Sequence, residues 1–334
     1  MNDILRIVDL EVQFKTNEGV VHAVNGVSLS LQPGEVLGVV GESGSGKSVT
    51  MMSLLGLIPQ PPGEITRGRA LFDAGEGQGE RDLLALNRSA LRAVRGKQIG
   101  FIFQDPISSL NPTMNIGRQI AESLVKHLDL SAAEARRRTL RLLDNVGIAG
   151  AGRRYDSYPH EFSGGMRQRV MIAIAVACRP RLVIADEPTT ALDVTVQAQI
   201  LELVRRLQRD LGMAVIWISH DLGVVAGLAD RVAVMYGGTI VECAPVDELF
   251  ERPQHPYTIG LLGAVPSLID VDGEDERPLV SIEGTPPDLL QELACCPFAN
   301  RCTYVFDRCR QERPPLLSIG PQHELACFYD LSST

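Results

Sequence analysis

The chain has 334 residues, 45% of them hydrophobic, and a formal net charge of −9. That is enough apolar material for two domains with at least one full-sized core, and it excludes proteins that hold nucleic acid or anionic lipid through a general excess of positive charge. No run of about 18 apolar residues occurs, and Met1-Asn2-Asp3-Ile4-Leu5 has neither the charged nor the apolar region of a signal peptide. A cytoplasmic chain that meets a membrane only through a partner is expected.

Residues 1–34 carry two partly alternating apolar segments, 5–14 and 20–31, closed by the turn Pro33-Gly34. They predict antiparallel strands laid beside the strand that follows. Phe14 is a candidate to stack on an adenine ring, with an ordinary core position as its plainer reading. Val36-Leu37-Gly38-Val39-Val40 predicts a buried strand. It runs into Gly41-Glu42-Ser43-Gly44-Ser45-Gly46-Lys47-Ser48, of the form G-x-x-x-x-G-K-S, and residues 49–57 continue as a buried helix. Strand, loop and helix in that order suit a phosphate loop. The glycines let successive N–H groups converge on phosphate oxygens, and the helix start adds its partial positive charge. Lys47 would reach the β- and γ-phosphates, and the Ser48 hydroxyl would ligate Mg²⁺. Nucleoside triphosphate binding is therefore expected.

Pro/Gly-rich and acidic stretches at 59–63 and 73–82 predict surface loops around a short strand at 69–72. The apolar run 99–103 ends at Gln104-Asp105-Pro106, which would put Gln104 near the γ-phosphate, its amide able to contact Mg²⁺ or the attacking water. Residues 107–162 change character, with helical patterning at 116–128 and 132–146, and they predict a helical insertion. Arg136, Arg137, Arg138 and Arg141 lie on the polar side of that pattern, most simply as a solvated face. Ser163 is then a good N-cap, and Gly164 and Gly165 free the first amides of the following helix, which makes a second anion site. One chain has no use for two γ-phosphate sites, so this one is expected to complete the pocket of a facing subunit.

Leu182-Val183-Ile184-Ala185-Asp186-Glu187 predicts a buried strand that finishes in two carboxylates. At the ligand-facing end of a parallel sheet, Asp186 would hold Mg²⁺ through water and Glu187 would orient or deprotonate the attacking water. Ala191-Leu192-Asp193 follows in a loop suited to a dimer partner. A last buried strand, 215–219, ends in His220, placed to hydrogen-bond a γ-phosphate. Cys178 and Cys243 stand alone, whereas Cys295, Cys296, Cys302, Cys309 and Cys327 crowd the last 40 residues. In a cytoplasmic chain such a cluster points to metal rather than to disulfides. Cys296, Cys302, Cys309 and Cys327 supply four thiolates within 32 residues, in a tail with too little periodic apolar sequence to build its own core. Zinc is the chemical alternative there, although structural zinc sites favour cysteine pairs about two to four residues apart.

With these elements in order, the chain resembles the nucleotide-binding subunits of ABC transporters over residues 1 to about 255. Position by position, the resemblance makes 41–48 the Walker A loop, Gln104 the Q-loop glutamine and Ser163-Gly164-Gly165 the signature motif. It makes Asp186 and Glu187 the Walker B acid and the catalytic glutamate, Asp193 a D-loop residue, and His220 the switch histidine. The signature reads Phe-Ser-Gly-Gly-Met where Leu-Ser-Gly-Gly-Gln is usual, with the serine and both glycines intact. Gln104-Asp105-Pro106-Ile107-Ser108-Ser109-Leu110-Asn111-Pro112, the stretch 185–195, and His255-Pro256-Tyr257-Thr258 narrow the resemblance to the dipeptide and oligopeptide importer ATPases.

That resemblance implies an α/β P-loop cassette with a RecA-like core, an antiparallel β subdomain and a helical subdomain. Residues 1–255 would form the cassette, with the insertion at about 107–162. Residues 256–334 would form a small Cys-rich extension, and similar tails bind a [4Fe–4S] cluster, here through Cys296, Cys302, Cys309 and Cys327. ATP and Mg²⁺ are the implied substrate and cofactor. The implied partners are a second, paralogous ATPase, two transmembrane permease subunits and an extracytoplasmic peptide-binding protein, with no nucleic acid, at the cytoplasmic face of the cell membrane. Importers of nickel or glutathione carry similar ATPases. The competing class, a soluble ABC protein acting on nucleic acid or ribosomes, usually has tandem cassettes or long heptad arms, and neither occurs here.

Overall fold

The computed structural model describes residues 3–75, 79–190, 192–264 and 282–329. Ala191, the centre of the acidic loop at 76–78, and residues 265–281 and 330–334 of the expected extension lie outside the described residues. The strands, in chain order, are β1 (Leu5–Thr16), β2 (Gly19–Leu31), β3 (Val36–Val40), β4 (Gly63–Asp73), β5 (Glu80–Asp82), β6 (Ile99–Ile102), β7 (Leu182–Asp186), β8 (Ala214–Ile218), β9 (Arg231–Tyr236), β10 (Thr239–Pro245), β11 (Leu317–Gly320) and β12 (His323–Leu325). The fold is α/β with mixed sheets. Contacts divide it into two compact units, one from residues 1–5, 30–36 and 71–218, the other from 6–29, 37–70 and 219–334.

In the first unit β6, β7 and β8 run parallel, with Ile184 opposite both Phe101 and Ile216. Every residue of β7 and β8 is buried, because both faces of a parallel strand are covered. This is why they read as unbroken apolar runs. The expected helices are Ile116–Leu128, with Ile116, Ile120 and Leu124 buried, and Ala132–Asn145, with Ala135, Thr139 and Leu143 buried. That spacing is one stripe of an amphipathic helix. Arg136, Arg137, Arg138 and Arg141 are exposed on the other side, where Arg136 stacks over Tyr155 at 4.1 Å. The acidic stretch after β4 is not all loop, since Leu71–Asp73 pairs antiparallel with β5.

In the second unit β3 pairs parallel with β9, β9 pairs antiparallel with β10, and β10 with β12. The strands β1 and β2 do not lie beside β3 as expected; they join β4 in a separate sheet, in the order β2-β1-β4. Their burial explains the difference. The first half of β1 follows the pattern buried, exposed, buried, exposed, which suits an antiparallel sheet with one covered face, whereas β3 is buried throughout. The strand expected at 69–72 is the end of the longer β4.

The described part of the tail docks on the cassette's own strands. Leu325 of β12 sits opposite Glu242 of β10, and β11 pairs with β12. Phe298, Ala299, Cys309, Leu325 and Ala326 are buried, and burying Phe298 alone contributes about 1.5–3 kcal/mol. Glu242, fully buried, accepts from the backbone N–H groups of Gln254 (2.8 Å) and His255 (3.0 Å) and lies 3.0 Å from His323 Nε2. Burial raises this carboxyl, but its hydrogen bonds, led by His323, outweigh that and hold it below its ordinary value. The described part of the tail thus shares core with the strands β10 and β9, a source of burial that its own sequence pattern does not predict.

Candidate functional site

The loop expected to hold phosphate leaves β3 at Gly41, with φ 147°, and enters the helix Lys47–Leu54 through Gly46, with φ 94°. A Cβ at Gly41 would stand 2.1 Å from the Met235 carbonyl oxygen, and one at Gly46 would stand 2.5 Å from that of Ala23, so both positions exclude any side chain. No side chain caps this helix, and the partial positive charge of a helix start favours an anion. Lys47 is buried, and its ammonium donates to the carbonyls of Gly41 (2.8 Å) and Glu42 (2.9 Å). Ser43, Gly44 and Ser45 form the turn between them, closed by Ser45 N–H to the Glu42 carbonyl at 3.2 Å. Ser48 lies in the helix's first turn. In the same unit Ser219 N–H donates to the Val39 carbonyl of β3 at 3.1 Å, and the exposed His220 is the next residue in the chain. Phe14 is half-buried on β1, with its ring edge against Gly63.

The first unit gathers the carboxylates. Asp186 is buried at the end of β7. Glu187 follows with φ 45°, a left-handed backbone that residues with a side chain rarely take, and its N–H donates to the Ile218 carbonyl at 3.1 Å. Its carboxylate accepts from the Gln104 amide at 2.9 Å and from the Thr190 hydroxyl at 3.1 Å. Gln104 and Glu187, singled out separately in the sequence, are therefore brought into contact. Ser163 caps the helix Gly164–Val176 by accepting from Met166 N–H at 3.4 Å, and Ser163 and Gly164 are exposed. A Cβ on Gly165 would meet Val196 at 2.7 Å. Asp193 caps the helix Val194–Leu211, accepting from Val196 N–H at 2.9 Å.

Two residues without a role in the sequence reading hold this loop at Glu42. The Tyr257 hydroxyl accepts from the Glu42 N–H at 2.9 Å, and Arg301 pairs with the Glu42 carboxylate at 2.9 Å. Tyr257 belongs to the His255-Pro256-Tyr257-Thr258 stretch. His255 starts the helix Pro256–Gly263 by accepting from Tyr257 N–H through Nδ1 at 3.0 Å, and burial pushes its imidazole down to about 4, so it stays neutral and able to accept. The motif was visible as a family mark, but its target is 215 residues away in the chain. Arg301 carried no signal beyond lying next to Cys302.

All seven cysteines are free. Among the described residues no three His, Cys, Asp or Glu side chains are gathered closely enough to hold a metal ion. The structure therefore does not show the four-thiolate centre expected of Cys296, Cys302, Cys309 and Cys327. Burial pushes the Cys296 thiol up to about 12, with Cys309, Cys327 and Cys302 adding to the shift, and burial also raises Cys302 and Cys327. Among the described residues no helix is long and apolar enough to cross a membrane.

Residues 24–190 match the ABC transporter family, and residues 241–309 match the family described as the C-terminal region of oligopeptide/dipeptide transporters. The oligopeptide transport ATP-binding protein OppD of Bacillus subtilis (strain 168) is 51% identical over 96% of this chain and 87% of its own length. The dipeptide transport ATP-binding protein DppD of the same organism is 48% identical over 98% of this chain and 95% of its own. Among solved structures, the dimeric post-hydrolysis state of the ATP-binding cassette MJ0796 bound to ADP and Pi superposes with a TM-score of 0.63 at 27% identity, covering 72% of this chain and 98% of that one. A glycine-cornered loop between a buried strand and a helix, a strand-end glutamate held by a glutamine and these similarities agree, and the chain belongs to the ABC transporter family, among the ATP-binding proteins of oligopeptide and dipeptide transport.

Proposed function

We propose that the chain hydrolyses MgATP and that the reaction drives peptide uptake through two membrane-spanning permease subunits. The observation that carries the ATPase reading is the Gln104–Glu187 contact at the end of a buried parallel strand, with Glu187 held in a left-handed backbone. A carboxylate fixed by an amide and a hydroxyl is oriented to hold a water in line with a phosphoryl group. Lys47 and the loop amides bind the β- and γ-phosphates, His220 contacts the γ-phosphate, and Phe14 lies against adenine. Ser48, Asp186 and Gln104 offer oxygen donors, the chemistry Mg²⁺ takes, and the ion would neutralise charge on the phosphates. Ser163, Gly164, Gly165 and Asp193 serve the pocket of a second, paralogous ATPase in a head-to-tail pair.

Peptide as cargo is supported by the match at 241–309 and by the relatives named for oligopeptide and dipeptide transport. In this reading residues 1–255 are the cassette, with the insertion at about 107–162; the segment Gln104 to Asn111 receives a short cytoplasmic helix of a permease subunit, and 256–334 are the importer-specific extension. The protein sits peripherally on the cytoplasmic face of the membrane, and an extracytoplasmic binding protein delivers the peptide. Purified from cells, the chain should bring down two hydrophobic subunits, and peptide-loaded binding protein should stimulate ATP hydrolysis of that complex in lipid vesicles. Recovery with RNA or ribosomes instead, with no stimulation by peptide, would overturn the reading.

The tail is proposed to hold a [4Fe–4S] cluster through Cys296, Cys302, Cys309 and Cys327. Four thiols in one docked segment fit the donor set of such clusters, and Cys296 N–H donates to the Cys309 carbonyl at 3.0 Å, so two of the four already lie side by side. When bound, the cluster supplies covalent cross-links across residues 296–327. Protein purified anaerobically should be brown with about four irons per chain, and Cys302→Ser should bleach it. Colourless protein with one zinc per chain would replace the cluster with zinc at the same cysteines.

A further inference from the structure

We infer that Arg301, in the cysteine-rich tail, is a positioning residue for the phosphate loop, fixing through Glu42 the place at which Lys47 meets the nucleotide. The inference deepens the ATPase reading above and rests on it. Arg301 is almost fully buried, with 5% of its side chain exposed, and every edge of its guanidinium is occupied. Nη1 donates to Glu42 Oε2 at 2.9 Å and to the Tyr236 hydroxyl at 3.2 Å, Nη2 to the Ile282 carbonyl at 2.9 Å, and Nε to the Glu283 carbonyl at 3.0 Å. Burying a cation is costly, and a hydrophobic side chain of similar size would hold the tail as well, so a fork spent on one loop carboxylate points to geometry rather than to stability.

Glu42 is held at three points. Its carboxylate meets Arg301, its N–H donates to the buried Tyr257 hydroxyl, and its carbonyl accepts from Lys47 Nζ at 2.9 Å. Arg301 is thus two contacts from the lysine. Tyr236, Tyr257 and Phe298 pack against one another behind the loop, with ring centroids 4.5 to 5.4 Å apart, and leave Glu42 little room to move. The tail residue next to Cys302 therefore supports the second residue of the phosphate loop, and the cassette's affinity for ATP is set in part by an element outside it.

The test uses the full chain in its assembled complex, measuring MgATP binding with a fluorescent ATP analogue and steady-state hydrolysis. Arg301→Met and Glu42→Gln should each raise KM for ATP about tenfold while kcat stays within about twofold, as for a lost charge-assisted contact that acts on binding. The double variant should be no worse than either single one, and Arg301→Lys should recover only part of the loss because a lysine cannot fork. A bare charge effect gives the opposite sign for Glu42→Gln, since removing a carboxylate near the phosphates would tighten ATP. Tighter or unchanged binding by Glu42→Gln, or losses that simply multiply in the double variant, would overturn the proposal. Glu42→Gln leaves the tail's own bonds to Arg301 in place, so it decides the matter even where Arg301→Met does not fold. Lys47→Ala separates the two levels. If it loses ATP while the clamp variants do not, only the clamp falls; if it binds ATP as the parent does, the ATP site itself is wrong and the clamp falls with it.

Discussion

Glu187→Gln should bind MgATP as tightly as the parent chain and turn it over about 10²–10⁴-fold more slowly, the range expected for loss of a positioned general base. The substitution keeps the side chain's length and an oxygen for Gln104 and Thr190 to donate to, at the present 2.9 and 3.1 Å. The left-handed backbone at φ 45° carries the same branching at Cβ, so its cost is unchanged and the variant should fold. Only the negative charge that would orient and draw a proton from water is lost. Lys47 and the loop glycines are untouched, which is why binding should survive. Filter binding or a fluorescent ATP analogue measures the first half of the expectation, and phosphate release measures the second. Hydrolysis at the parent rate would show that Glu187 is not the residue that activates water.

The parts of the site that were legible in the sequence are those whose chemistry is local. The loop at 41–48 packs its glycines, lysine and serine into eight consecutive residues, and β7 announces itself because a strand buried on both faces has no polar residue until its end. The Ser163 cap follows from short-range hydrogen bonding, three residues ahead, whereas Asp193, expected only in a partner-facing loop, also caps a helix. What could not be read was non-local. The placement of β1 and β2 in a sheet apart from β3 depends on pairing with β4, more than thirty residues beyond them in the chain. The strands β9 and β10 flank or extend the β3 edge but carry buried Arg231 and Glu242, which interrupt the apolar pattern that marks core strands. Arg301 lies 259 residues from Glu42, and no spacing rule connects them. The tail illustrates the same limit from the other side. Its low periodicity predicts little core of its own, and no local pattern reveals that β10 takes β12 as a neighbouring strand.

Ser163→Arg should leave the isolated chain's affinity for ATP within about twofold of the parent and abolish ATP-driven pairing and transport, if Ser163-Gly164-Gly165 serves a facing subunit. Locally the change is mild. It removes the hydroxyl that accepts from Met166 N–H, a cap worth about 1 kcal/mol, and puts a cation at the positive end of the helix Gly164–Val176, worth about 0.3–1 kcal/mol more. A domain stable by about 5–15 kcal/mol tolerates both. Ser163 and Gly164 are exposed, so the larger side chain has space on the isolated chain and conflicts only with something brought against that surface. A phosphate held there by free amides would be that something, carried on the loop of the partner ATPase. The Glu187→Gln background makes the test sharp, because ATP that is bound and not hydrolysed should hold the pair together long enough for size-exclusion chromatography with the partner ATPase. Glu187→Gln alone should elute as an ATP-dependent pair, and Glu187→Gln with Ser163→Arg should elute as separate subunits that still carry nucleotide. A pair that persists with Ser163→Arg, or a lone subunit that hydrolyses ATP at the rate of the full transporter, would mean that each chain completes its own site, and the head-to-tail arrangement would have to be abandoned.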